Sequence, residues 1–144
     1  MTIRTILTWP DERLRDVAAP VTEWDDELSV LIGDLFETMY DDGGVGLAAI
    51  QIGIGKRVIV VDCGVETKEP IALVNPAIKS AEGETTFAEG CLSVPGIRAE
   101  VDRSETITVR YRDAFGHEQT LEAGGLLSIC IQHEIDHLNG ILYF

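Results

Sequence analysis

Gly124-Gly125-Leu126-Leu127-Ser128-Ile129-Cys130-Ile131-Gln132-His133-Glu134-Ile135-Asp136-His137-Leu138-Asn139-Gly140 is the stretch from which the rest of the chain can be placed. At roughly 100° per residue its periodicity is helical. Leu126, Ile129, Cys130, His133 and His137 fall on one stripe, and Leu127, Ile131, Ile135 and Leu138 on a second, nearly opposite. Ser128, Gln132, Asp136 and Asn139 share the remainder. A surface helix carries a single apolar stripe, so a helix apolar on two sides is expected to be central and buried. Glycines precede it, and Gly140 stands where a helix stop is expected.

The stretch contains His-Glu-x-x-His. Histidines one turn apart point the same way, so both imidazoles can hold one metal ion, with Glu134 beside it as a candidate general base. Hydrogen-bonded core histidines are the plainer reading for any lone histidine. Here two of the chain's three histidines flank a glutamate at ligand spacing, and a metal pair is the stronger expectation.

The 144 residues amount to one domain, long enough to bury a core without disulfides. A net charge of −14 argues against unaided binding to DNA, RNA or an anionic membrane, since phosphate contacts need clustered Lys and Arg. No run approaches a membrane span, and Met1-Thr2-Ile3-Arg4 resembles neither a signal nor a transit peptide. Three scattered cysteines suggest no disulfide framework, so the cytoplasm is the expected compartment.

Upstream, residues 25–40 read as an amphipathic helix, with Leu28, Leu31, Ile32, Leu35, Phe36 and Met39 at helical spacing and acids in the first turn. One short turn is expected at 11–15. The segment Gly44-Val45-Gly46-Leu47-Ala48-Ala49-Ile50-Gln51 is small and apolar with a lone glutamine, as though the backbone passes close to something. A phosphate loop would need Gly-Lys-Ser/Thr, which does not follow, and a tight turn around a satisfied glutamine is the structural alternative. Residues 57–63 and 71–75 read as strands, the first buried. Short strands with turns are expected between Ala77 and Ala123, of which 106–112 alternates cleanly and 117–122 returns. Together these predict an α+β domain spanning 1–144.

A catalytic site built on His133 and His137 needs a third ligand and one open position. Few residues follow the helix, so the ligand must come from upstream. Cys91, set between Gly90 and Pro95, is the best candidate and is expected in a rigid loop. Cys63 and Cys130 read as small core residues.

These stretches resemble a known family. Gly44–Gln51, Glu89–Ser93 and Gln132–His137 are similar, in order and spacing, to the three signature motifs of the peptide deformylases. The likeness extends through Pro10-Asp11-Glu12-Arg13-Leu14-Arg15, Phe36-Glu37-Thr38-Met39-Tyr40 and Leu73-Val74-Asn75-Pro76. It implies an α+β fold in which antiparallel sheets surround a central metal-binding helix. It also implies removal of the formyl group from the N-terminal formylmethionine of nascent polypeptides. By motif position, Cys91, His133 and His137 bind one divalent ion, with water in the fourth place. Fe(II) is the native ion in the family, and Ni(II), Co(II) or Zn(II) can replace it. Glu134 moves the proton, while the Gln51 amide and the Leu92 backbone N–H stabilise the oxyanion. Val45, Phe87, Leu126, Ile129 and Cys130 wall a methionine pocket. Gly46 and Gly90 belong to the same substrate-binding set, Glu89 lies near the metal, and Ile97 and Arg98 border the peptide groove.

Longer members continue into a further C-terminal helix, whereas this chain ends at Gly140-Ile141-Leu142-Tyr143-Phe144. The resemblance is thus to a short form, for which direct ribosome docking is not implied and a monomer is expected. Two other readings share parts of the pattern: a general zinc peptidase and a non-catalytic binder of nascent N-termini. The cysteine motif and the missing downstream ligand oppose the first. The general base, which a binder would not need, opposes the second.

Overall fold

The computed structural model of the chain describes residues 2–64 and 67–143. The N-terminal segment contains a short 3-10 helix at Glu12–Arg15, where a turn is expected, and leads into α1, Asp26–Asp41. Asp25 caps α1 by accepting the Leu28 N–H, and Asp26 and Glu27 follow in the first turn, where negative charge complements the helix dipole. Its predicted apolar face is buried through Leu28, Leu31, Ile32, Leu35 and Met39.

β1 (Gly46–Ala48), β2 (Val58–Asp62), β3 (Pro70–Glu82), β6 (Thr106–Arg112) and β7 (Glu118–Gly124) form one antiparallel sheet, ordered β1-β2-β3-β6-β7. β4 (Thr85–Cys91) and β5 (Val94–Arg103) form a separate two-stranded ribbon. A 3-10 turn, Ala49–Ile52, follows β1. The last element, α2 (Gly125–Leu138), lies against the large sheet.

β2 is buried along its whole length, as its unbroken apolar run leads one to expect. Its side chains alternate between two cores. Val58 and Val60 pack with Leu28, Leu35 and Met39 of α1, while Ile59 and Val61 pack with Ile131, Ile135 and Leu138 of α2. Each such aliphatic side chain contributes about 1.5–3 kcal/mol on burial. The second apolar stripe of α2 is therefore the one that holds the helix down, leaving the histidine stripe for other contacts. The polar remainder of α2 is also held. Ser128 Oγ donates to the Ser104 carbonyl, and Gln132 bonds both the N–H and the carbonyl of Ser104.

Glycines set both ends of this helix. Gly125 has φ +59° and Gly140 has φ +72°, and a Cβ on Gly140 would lie 2.3 Å from the Arg15 carbonyl oxygen. Two expectations need correction. Cys91 is the last residue of a strand, paired across a tight turn with Val94, and does not sit in a loop. β3 runs well past residue 75, through a register shift beyond Val74, because its outer half pairs with β6 while exposed.

Candidate metal centre

α2 supplies His133, Glu134 and His137, the end of β4 supplies Cys91, and the 3-10 turn after β1 supplies Gln51. Cys91 Sγ lies 3.3 Å from His137 Nε2, which lies 3.2 Å from His133 Nε2. The three donor atoms fall within 4.8 Å of one another. Two imidazole nitrogens on one tetrahedral ion, each about 2.0–2.1 Å from it, stand about 3.3–3.4 Å apart, so the spacing fits a shared ion.

The surrounding bonds sharpen the fit. His133 Nδ1 is 2.8 Å from Glu89 Oε1, so Nδ1–H donates there and Nε2 is the nitrogen that faces His137. Such a carboxylate partner fixes the tautomer and raises the basicity of a ligating imidazole. Burial opposes charge on Glu89, but the bonds from His133 and Arg103 outweigh it and hold its pKa below the usual range. Desolvation opposes charge on His133, and Glu134, Cys91 and Glu89 overcome it and raise its pKa, so a bound ion would displace a proton from Nε2. His137, driven down to about 3 by burial and then by neighbouring positive charge, stays neutral, the form in which imidazole ligates. Burial pushes Glu134 up to about 7, and its Oε1 has no hydrogen-bond partner among the described residues.

Gln51 is buried with its amide orientation set. Oε1 accepts the Ala48 N–H at 2.9 Å, which turns the NH₂ toward Ser93 Oγ at 3.0 Å and Cys91 Sγ at 3.5 Å. Gly46 passes over the helix so closely that a Cβ would lie 2.6 Å from Glu134 Oε2 and 2.7 Å from Cys130 Sγ. That close approach accounts for the small residues noted at 44–51.

Gln51, Cys91, His133 and Glu134 line a cleft of about 600 Å³. Val45, Gly46, Phe87, Glu89 and Gly90 border it, as do Leu92, Ile97, Arg98, Leu126 and Cys130. Ile129 does not: it is 6% exposed and lies outside the lining. On a helical projection Ile129 is about 100° from Cys130, which carries it off the edge of the stripe that faces the cleft.

Three residues beside the site escape the sequence reading. Arg103 holds Glu89 with Nε at 2.9 Å and Nη2 at 3.0 Å, and also pairs with Asp136 on α2. Ser93 accepts from Gln51. The Tyr143 ring lies 5.6 Å from the His133 ring, and its hydroxyl donates to the Ile97 carbonyl. Arg103 and Tyr143 belong to no local spacing pattern, and Ser93, although inside the Glu89–Ser93 stretch, bonds a partner 42 residues away.

An antiparallel α+β domain that gathers one thiol and two imidazoles beside a buried carboxylate has the build of a single-metal hydrolase. The family model described as polypeptide deformylase matches residues 3–144. The peptide deformylase of Neisseria meningitidis is 50% identical over 143 residues, covering 99% of this chain and 86% of that protein. The crystal structure of a peptide deformylase from Legionella pneumophila superposes with a TM-score of 0.95 at 53% identity, covering 99% of this chain and 84% of the other. Peptide deformylase from Ehrlichia chaffeensis, in complex with actinonin, gives a TM-score of 0.96 at 39% identity, covering 99% and 87%. The chain belongs to the polypeptide deformylase family.

Proposed function

We propose that this chain removes the formyl group from the N-terminal formylmethionine of newly made polypeptides, releasing formate, and that residues 1–144 act as one catalytic domain. The observation that carries the reading is the convergence of Cys91 Sγ, His133 Nε2 and His137 Nε2, with Cys91, His133 and Glu134 lining an open cleft. Those three side chains are the proposed metal ligands. A bound divalent ion supplies Lewis acidity there, acidifying water and polarising a carbonyl. A thiolate with two imidazoles suits several borderline metals, and Fe(II) is the proposed native ion, with Ni(II), Co(II) or Zn(II) as substitutes.

The chain's own groups divide the remaining work. Glu134 takes a proton from the attacking water and returns it to the departing amine, a transfer typically worth about 10²–10⁴ in rate. The Gln51 NH₂ and the Leu92 backbone N–H meet the charge that develops on the formyl oxygen. Glu89, clamped by Arg103, keeps His133 in the ligating tautomer. Val45, Phe87, Leu126 and Cys130 offer the apolar wall for a methionine side chain, while Gly90, Ile97 and Arg98 border the path of the following residues. Ile129 is left out of the proposed pocket.

The reading places the enzyme in the cytoplasm as a monomer acting on nascent chains. No described helix is long and apolar enough to cross a membrane. The test is formate release by anaerobically prepared protein from formyl-Met-Ala-Ser beside acetyl-Met-Ala-Ser. Release from the formyl peptide alone is expected, and no release from metal-replete protein would overturn the reading.

A further inference from the structure

The two cysteines outside the proposed ligand set pack into one cluster. Cys63 follows the last residue of β2, and Cys130 sits on α2 in the cleft lining. Both are free, Cys63 half-buried and Cys130 buried, and Cys63 packs into the cluster that contains Cys130. Side chains alternate along β2, so Cys63 continues the Ile59–Val61 face that packs on the same cluster as Cys130. One carbonyl fixes their surroundings, for Val45 O accepts both the Asp62 N–H at 2.8 Å and the Cys130 thiol at 3.5 Å. The end of β2, the approach to β1 and the middle of α2 therefore meet at this pair.

We propose that Cys63 and Cys130, of which Cys130 lines the cleft, are a disulfide-forming pair, and that their oxidation by a peroxide reshapes the substrate pocket. Cys63 is half-buried and Cys130 buried, so a peroxide reaches Cys63 first and Cys63 is the attacking sulfur. The Cys63 thiolate attacks one peroxide oxygen, the O–O bond breaks, and hydroxide leaves, giving a sulfenic acid. The Cys130 sulfur then attacks the sulfenic sulfur, the S–O bond breaks, and water leaves with the Cys130 proton. Two thiols lose two electrons and one peroxide becomes two waters, so the step balances.

The consequence for the cleft follows from the lack of slack. A disulfide holds its sulfurs about 2.05 Å apart, closer than two packed thiols stand. In the proposed disulfide, Cys130 Sγ is drawn from Val45 O toward Cys63, where Gly46 already passes so near that a Cβ would lie 2.7 Å from that sulfur. Val45, Gly46 and Cys130 all line the cleft, so the wall moves where the substrate side chain is proposed to sit.

The test exposes zinc-loaded protein to a small excess of hydrogen peroxide, alkylates the remaining thiols, and digests without reduction. Mass spectrometry is expected to find a peptide linked through Cys63 and Cys130, dispersed by dithiothreitol and absent from Cys63→Ser. This readout does not depend on deformylase activity, so its failure is distinguishable from failure of the proposed function. The second arm rests on that function. Oxidation is expected to raise KM for the formyl-Met peptide by about tenfold, reversibly, as a misplaced pocket wall does. Cys63→Ser is expected to keep its KM through the same treatment. Alkylated Cys63 and Cys130 with oxygen added at Cys91 would overturn the proposal. So would a linked peptide that leaves KM unchanged, or equal sensitivity in Cys63→Ser.

Discussion

Gln51 is a single residue whose orientation is settled by its neighbours. The Ala48 N–H occupies its oxygen, so its nitrogen is the end turned toward Cys91. Gln51→Ala removes that donor and is expected to lower kcat by about 10²–10³ with bound metal unchanged, measured by formate release and metal analysis. At this scale the sequence is informative wherever chemistry imposes a spacing. His133 and His137 are one helical turn apart, and Cys91 is bracketed by Gly90 and Pro95, so these residues can be singled out before any fold is known. Arg103 has no such mark. Its partners Glu89 and Asp136 lie on a neighbouring strand and on α2, and only folding brings the three together.

Between elements, the decisive contact is β1 crossing α2 at Gly46. Gly46→Ala puts a methyl group into the Glu134 carboxylate and the Cys130 sulfur. It is expected to cost about 1–3 kcal/mol by overpacking and to depress formate release, measured by urea denaturation and turnover on the same preparation. Arg103 performs a comparable linking role between β5 and α2. Arg103→Met leaves the buried Glu89 carboxylate without its cation, and a loss of about 3–5 kcal/mol is expected in urea unfolding. α1 and β6 are legible in sequence because each buries one face in a regular period, and α2 because it carries two apolar stripes at helical spacing. The β4–β5 ribbon is not. Its middle residues are mostly exposed, so the alternation that would reveal paired strands is missing, although this ribbon delivers Cys91.

Across the whole molecule, the N-terminal segment ties α1 to the site. Asp34 on α1 accepts the Thr2 N–H at 2.7 Å and Arg4 Nε at 2.8 Å. Further along, Leu7 N–H donates to the Gln51 carbonyl and Trp9 N–H to the Ser93 carbonyl. Desolvation opposes the Asp34 charge, but the bonds from Thr2 and Arg4 prevail and lower its pKa. A depressed carboxylate stabilises the fold fully above its unfolded pKa of about 3.9 and loses that contribution as pH falls through the folded value. Asp34→Asn is therefore expected to cost about 1 kcal/mol at pH 7, with the gap to the parent closing below about pH 4, measured by urea unfolding across pH. These long-range tethers have no signature in composition or period, whereas the α+β class follows from the order of the elements. The central claim is that the groups gathered on α2 and β4 form one metal-dependent hydrolytic site with Glu134 as its proton carrier. The most direct measurement is formate release from formyl-Met-Ala-Ser, with metal content determined in parallel, for the parent and Glu134→Ala. A variant that keeps the parent's metal content and loses at least about 10²-fold in turnover is expected. A variant that turns over like the parent, or a parent that deformylates without bound metal, would contradict it.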